Sequence, residues 1–182
     1  MAFIRRKSID TAKQPLVSDG QLTADQIRAK AKELQLCISP LDIHALTKAL
    51  GIELLCVPMD DEVSGSLSAY PDKQGWLMKV NSLHHPNRQR FTIAHELGHY
   101  FKHRKTQENF VDQNFFRNSN SNRMEAEANR FASELLMPET EFRERVKSLN
   151  GSIEAVAQEF KVSTLAVRVR AKSLGMKGHG LD

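Results

Sequence analysis

Two histidines that flank a glutamate could do metal chemistry. His95, Glu96 and His99 form the sequence His-Glu-Leu-Gly-His. On a helix, side chains four residues apart lie on the same face, so both imidazoles would project toward one point. Two imidazoles held in this way supply half of a tetrahedral zinc site, and the glutamate can reach a water on the metal and take its proton. The spacing therefore predicts the active site of a zinc-type hydrolase.

A catalytic zinc also needs a third protein ligand. Lys105 stands where a His-x-x-Gly-x-x-His pattern would require histidine, so a glutamate from a second helix is the better candidate. On a helical wheel Glu125 lies about 60° from the centre of the apolar face, and Glu127 lies about 100° away. We therefore predict Glu125 as the ligand and keep Glu127 as the alternative. Asn129, one turn after Glu125, is expected to hydrogen-bond a ligand imidazole.

The native metal is predicted from the same donor set. Two histidines and a glutamate suit zinc, and these ligand types also fit manganese or another divalent metal. The oxyanion that forms during peptide hydrolysis needs hydrogen-bond donors as well. Six residues have side chains of a suitable type, and the sequence does not rank them as donors. They are Tyr70, His84, His85, Arg88, Tyr100 and His103.

The apolar periodicity places the metal-ligating residues on two helices. One helix is predicted from Pro86 to about His103, and another over residues 122–137, ended by Pro138. Residues 106–121 between them are polar and rich in asparagine, which predicts a long surface loop.

The remaining pattern predicts a small sheet and further helices. Upstream helices are expected after Thr23 and from Pro40 to Gly51. Three short segments, 52–57, 65–70 and 76–81, predict a small, mostly antiparallel sheet, and residues 64–70 would form its edge, where an extended substrate could dock. Three more helices are expected over 139–149, 152–160 and 163–173. Helices, then a small sheet, then helices give an α+β fold.

Length and composition exclude several classes of protein. The 182 residues are 40% apolar, which is enough for one core but includes no run of the roughly 18–20 apolar residues that span a bilayer. No secretory signal is recognisable, so we expect a cytoplasmic protein. Cys37 and Cys56 are too few for a disulfide framework and are expected to be buried thiols.

Four segments carry a family resemblance: "RQRFTIAHELGHYFKH", "EAEANRFASELLMP", "DIHALTKALGIELLCVP" and "VSGSL". Over about residues 23–175 the chain resembles the ImmA/IrrE family of bacterial and phage metallopeptidases. The resemblance implies a minimal zincin-like fold with His95 and His99 as ligands, Glu96 as base and a glutamate near 125 as third ligand. It also implies a cytoplasmic regulatory protease that cleaves a helix-turn-helix repressor or antitoxin-like regulator under stress or DNA damage.

The chain divides into four expected regions. These are a flexible arm over 1–20, a zincin-like core over 21–138, a helical segment over 139–175 and a tail over 176–182. Five basic residues against Asp182 alone give residues 161–182 the whole net charge of +4. Residues 157–170 resemble a helix-turn-helix, but Lys161 stands where glycine is often found. We expect packing rather than DNA contact there, and keep a metal-containing DNA-binding or sensing module with little proteolytic activity as the alternative function.

Overall fold

The computed structural model describes residues 22–72, 74–113 and 119–177, and it has the expected α+β architecture. The predicted arm over 1–20 and most of the predicted tail lie outside the described residues. Within those ranges the elements are α1 Ala24–Glu33, α2 Ile43–Ala49, β1 Ile52–Val57, β2 Val63–Ala69, β3 Trp76–Asn81, α3 Pro86–Lys102, β4 Asn109–Gln113, α4 Ser119–Leu136, α5 Glu139–Ser148, α6 Ile153–Phe160 and α7 Thr164–Ser173.

The described strands form one mixed sheet in the order β1-β3-β2-β4. β3 pairs with β1 in parallel, and β2 runs antiparallel to both of its neighbours, β3 and β4. The three strands expected from the sequence are present, but β4 makes a fourth. The prediction of a loop over 106–121 was therefore wrong at 109–113, which form β4, and at 119–121, where α4 begins three residues before its predicted start. β2 lies between two strands, so the expected edge at 64–70 is interior, and the edge strands of the described sheet are β1 and β4.

Helix α2 begins later than the sequence suggested. Pro40 does not start it; the helix begins at Ile43, and the Asp42 carboxylate accepts a hydrogen bond from the Ala45 amide at 3.0 Å. The Asp42 side chain caps the helix here because its oxygen satisfies an amide that has no intrahelical partner. Thr23 caps α1 as expected, in a reciprocal capping box with Gln26.

The C-terminal helices share one hydrophobic core with the rest of the described chain. Phe142 of α5 and Phe160 of α6 are buried with ring centroids 5.8 Å apart. Arg170 of α7 donates to the carbonyl of Met137 at 2.9 Å, just beyond the end of α4. Carbonyls at a helix end lack intrahelical partners, so this buried bond ties α7 to α4.

The structure bears on two expectations from composition, that the cysteines are buried and that no segment spans a membrane. Cys37 and Cys56 are both free and exposed, against the expectation of buried thiols, and Cys56 lies on β1 at an outer side of the sheet. No helix within the described ranges combines the length and apolarity needed to cross a lipid bilayer.

Helices α3 and α4 touch through their backbones at Gly98. A Cβ atom added there would lie 2.8 Å from the Ala128 Cα and 2.9 Å from the Ala128 carbonyl oxygen. These separations are shorter than real contacts of a methyl group, so any larger residue must push the helices apart. Glycine at this position lets the two helices that carry His95, His99 and Glu125 meet.

We expect Gly98→Ala to lower the free energy of unfolding by about 1–2 kcal/mol, measured by urea denaturation of the metal-free chain. Alanine gains about 1 kcal/mol of helix propensity over glycine, but overpacking against backbone atoms costs more than that gain.

Ala128→Gly is the matching second change. It should rescue Gly98→Ala only in part, because two of the three nearest atoms belong to the backbone. An unfolding free energy for Gly98→Ala equal to or above wild type would contradict the tight contact.

Candidate metal centre

Three side chains from α3 and α4 converge on one point. The Nε2 atoms of His95 and His99 are 3.0 Å apart. One carboxylate oxygen of Glu125 lies 3.0 Å from His95 Nε2, and the other lies 3.3 Å from His99 Nε2. Both histidines are buried, while the glutamate side chain is 29% exposed. Two imidazoles and a carboxylate thus face each other at one point, with the carboxylate partly exposed to solvent.

The donor set and its spacing fit a divalent metal ion. One ligand atom from each of the three residues can be chosen so that all lie within 4.8 Å of one another. In a tetrahedral zinc site with bonds of about 2.0–2.1 Å, neighbouring ligand atoms are about 3.3 Å apart, close to the observed separations. His95, His99 and Glu125 could therefore hold a metal without a large rearrangement.

Asn129 lies behind His95 and sets its ring orientation. The Oδ1 atom of Asn129 is 3.0 Å from His95 Nδ1. An amide oxygen only accepts hydrogen bonds, so His95 donates from Nδ1 and its Nε2 keeps a lone pair toward Glu125. This is the relation that the sequence predicted for Asn129 and a ligand imidazole.

His103, Glu127 and Arg123 form a second chain of hydrogen bonds behind His99. His99 Nδ1 is 3.1 Å from His103 Nδ1, and His103 Nε2 is 3.2 Å from one oxygen of Glu127. Arg123 donates to the other oxygen of Glu127 at 2.9 Å. Glu127, the alternative ligand of the sequence analysis, thus lies against His103 and not against the pair of ligand histidines.

The electrostatics of the site favour ligands in their metal-binding protonation states. Burial raises the pKa of Glu125, but the close contacts of its carboxylate with the His95 and His99 imidazoles outweigh burial and bring the pKa to about 2. Burial lowers the pKa of His99 and outweighs the opposing influence of the neighbouring Glu125 carboxylate. A neutral imidazole beside an ionised carboxylate is what a divalent metal requires.

Glu96 projects from α3 toward the sheet. Its side chain is fully buried, and a Cβ added to Gly65 of β2 would lie 3.3 Å from Glu96 Oε1. The same added atom would lie 2.6 Å from Thr92 Cγ2, so only glycine lets β2 run this close to α3. The backbone of β2 therefore forms one wall beside the carboxylate.

The comparisons with known proteins decide the family. Residues 47–172 match Peptidase_M78, described as the IrrE N-terminal-like domain. The chain belongs to this family. It is 32% identical over 107 residues to Metallopeptidase ImmA of Bacillus subtilis (strain 168), a match that covers 55% of this chain and 57% of ImmA. A transcriptional regulator of Mycobacterium tuberculosis has a similar fold, with a TM-score of 0.58 and 19% identity over 86% of this chain and 48% of that one. The chain spans about half the length of both.

Within this IrrE-like domain, most of the candidate oxyanion donors have other partners. Tyr70 is hydrogen-bonded to Glu53, Tyr100 packs against Trp76 and Arg104, and His85 caps α3. His84 lies near Asn81 and the Asp61 carbonyl, and His103 is engaged as described above. Arg88 donates to the Ser64 hydroxyl at 3.0 Å, one residue from the wall beside Glu96.

Sequence reasoning missed two groups near the ligands, His103 as a partner of His99 and Phe110 of β4. The Phe110 ring stacks on the His99 imidazole with centroids 4.6 Å apart. The spacing His95, His99, His103 was a visible signal for the first, since three residues at steps of four share one helix face. Phe110 gave no such signal, because its contact depends on the pairing of β4 with β2.

We expect the purified chain to bind about one divalent metal ion, and His95→Ala, His99→Ala and Glu125→Ala each to lose it. Each change removes one of three converging ligands, and elemental analysis after gel filtration measures the loss.

Glu127→Ala tests the alternative ligand, and Glu134→Ala on the same helix is the matched control. Glu134→Ala should bind the metal as wild type does, and Glu127→Ala should still hold a stoichiometric amount at micromolar protein concentration, because all three ligands remain. Retention of metal by Glu125→Ala together with loss by Glu127→Ala would reverse the assignment.

Proposed function

We propose that this chain is a metal-dependent endopeptidase that cleaves a helix-turn-helix repressor or antitoxin-like regulator at a defined site, relieving repression under stress or DNA damage. The observation that carries the proposal is the convergence of His95, His99 and Glu125 beside the buried Glu96. Membership of a peptidase family supports the hydrolysis, and the resemblance to ImmA/IrrE proteins supports the choice of substrate. The reaction would take place in the cytoplasm, where such regulators act.

His95, His99 and Glu125 would hold the metal, with zinc the ion that best suits their donor atoms. A bound zinc ion lowers the pKa of a water toward about 7 and polarises the carbonyl of the peptide bond to be cut. Asn129 would keep the His95 lone pair directed at the ion through its hydrogen bond to Nδ1.

Glu96 would move the proton. One of its carboxylate oxygens would take a proton from the attacking water and pass it to the nitrogen of the departing amine. Glu96 is the residue after His95, so it lies on the adjacent face of α3 and does not compete for the metal. Complete burial keeps bulk water away from its carboxylate.

Strand β4 would receive the substrate. It is one of the two outer strands of the described sheet and pairs with β2 on its inner side, so its other edge can pair with an extended peptide. Phe110 of this strand stacks on the ligand His99, so a peptide on this edge would pass close to the metal ligands. Main-chain pairing of this kind favours one extended segment over general degradation.

Co-expression with a helix-turn-helix regulator encoded beside it tests the function. We expect one or two defined fragments, identified by mass spectrometry, because one extended segment must fit the edge of β4. Glu96→Gln should keep the metal but lower the cleavage rate by several orders of magnitude, since the ligands remain and the proton acceptor is lost.

Two outcomes would contradict the proposal. Cleavage of casein at a comparable rate would indicate a broad protease. Activity of Glu96→Gln within tenfold of wild type would mean that another group moves the proton.

A DNA-binding module is the second candidate function, favoured by the geometry of α6 and α7. Lys161 between them has φ 52° and ψ 52°, the left-handed conformation that glycine supplies in such turns. The outer face of α7 is basic through the exposed Arg168 and Lys172, and Leu165 and Val169 on it are 68% and 57% exposed. Such a face could meet a phosphate backbone and base edges.

For this candidate, Arg168→Glu combined with Lys172→Glu should abolish binding to the DNA upstream of its own gene, measured by fluorescence anisotropy at several salt concentrations. Each phosphate contact that is lost should lower the slope of log affinity against log salt concentration by about one. The control is the double variant Lys32→Glu and Lys48→Glu, which makes the same charge change on α1 and α2. Its affinity for the DNA should stay closer to that of wild type. Equal loss in both variants would indicate general attraction only, and no binding by wild type would remove this function.

A further inference from the structure

His103 closes α3 one turn after the ligand His99 and is held firmly at its backbone. Its amide donates to the His99 carbonyl at 2.8 Å, and its own carbonyl accepts from the amides of Thr106 and Gln107 at 2.8 and 3.1 Å. The side chain is buried, with its ring 6.3 Å from that of Phe110. The imidazole therefore has a fixed place behind the metal ligand.

The two Nδ1 atoms of His99 and His103 face each other at 3.1 Å, so one of them must donate a proton to the other. If His103 donated, neutral His99 would carry its own proton on Nε2. That proton would point at Glu125, and no lone pair would be left for a metal. If His99 donates, its Nε2 lone pair faces Glu125 and His95.

Glu127 selects between these two arrangements. Its carboxylate oxygen lies 3.2 Å from His103 Nε2 and, being ionised, can only accept. The proton of neutral His103 therefore lies on Nε2, and its Nδ1 is left as the acceptor for His99. Arg123 engages the second oxygen of Glu127, so the carboxylate is held from both sides.

We propose that His103, held by Glu127, is a positioning residue that fixes the ring and tautomer of His99 for metal binding. It does for the second ligand histidine what Asn129 does for the first, with an imidazole and a carboxylate in place of one amide. Such partners of ligand histidines typically account for 10–100-fold in metal affinity. The inference rests on the proposed metal site. It gives a role to His103 and Glu127, which lie beside that site and are not among its three ligands.

The affinity of the full chain for Zn²⁺, measured by competition with a chromophoric chelator, tests this role. His103→Phe keeps an aromatic ring but cannot accept the His99 proton, so we expect affinity to fall 10–100-fold. His103→Asn offers Oδ1 as an acceptor and should restore at least about tenfold of that loss. The visible spectrum of the Co²⁺-loaded chain should change in His103→Phe and return toward wild type in His103→Asn.

Glu127→Ala tests the same role on an exposed position, where misfolding is not expected. Glu134→Ala is its matched control: both glutamates lie on α4, their side chains are 43% and 42% exposed, and each pairs with an arginine four residues earlier. We expect about tenfold weaker Zn²⁺ binding for Glu127→Ala and wild-type binding for Glu134→Ala.

The outcomes separate this role from the proposed function. If wild type binds Zn²⁺ and both His103→Phe and Glu127→Ala bind it equally well, the positioning role is wrong and the metal site stands. If Glu134→Ala weakens binding as much as Glu127→Ala, the effect is general electrostatics and the role is also wrong. If wild type binds neither Zn²⁺ nor Co²⁺, the metal site and this role fall together.

Discussion

The backbone contact between α3 and α4 at Gly98 and Ala128 is the constraint on which the site depends. With the helices in this register, Glu125 and Asn129, one turn apart on α4, both reach the histidines of α3. Metal sites tolerate errors in ligand distance of only about 0.2 Å, whereas a single extra methyl group would move the helices by more. The small residues at the crossing are thus as necessary to the site as the ligands themselves.

Burial determines the charge of the site. Taking imidazoles out of water disfavours their protonated forms, and it lowers the pKa of His99 even beside a carboxylate. Glu125 stays ionised because its carboxylate lies against the two imidazoles, a contact that brings its pKa to about 2. The result is a neutral imidazole at His99 beside one negative charge at low dielectric, where a divalent cation is bound more strongly than in water.

The parts of the site that depend on local spacing could be predicted from the sequence. The helical step of four residues was enough to pair His95 with His99, and the helical wheel favoured Glu125 over Glu127, as the structure arranges them. What depends on contacts distant in sequence could not be predicted. β4 carries too few apolar residues to stand out, and its pairing with β2 across more than forty residues defines it as a strand. The start of α2 was predicted wrongly at Pro40, because the Asp42 side chain caps the helix and the first helical residue is Ile43.

Under the proposed function, β4, the strand that the sequence did not predict, also links the metal centre to the substrate. Phe110 packs on His99 from a strand whose outer edge has no partner strand among the described residues, so under the proposed function the peptide and the imidazole would rest on one element. Main-chain hydrogen bonds to that edge read shape and not sequence. Under the proposed function, discrimination must therefore come from the substrate, which has to offer an extended segment free of its own pairing. A compact helical repressor has such segments only between its helices or domains, so cleavage there would separate its parts without a deep specificity pocket.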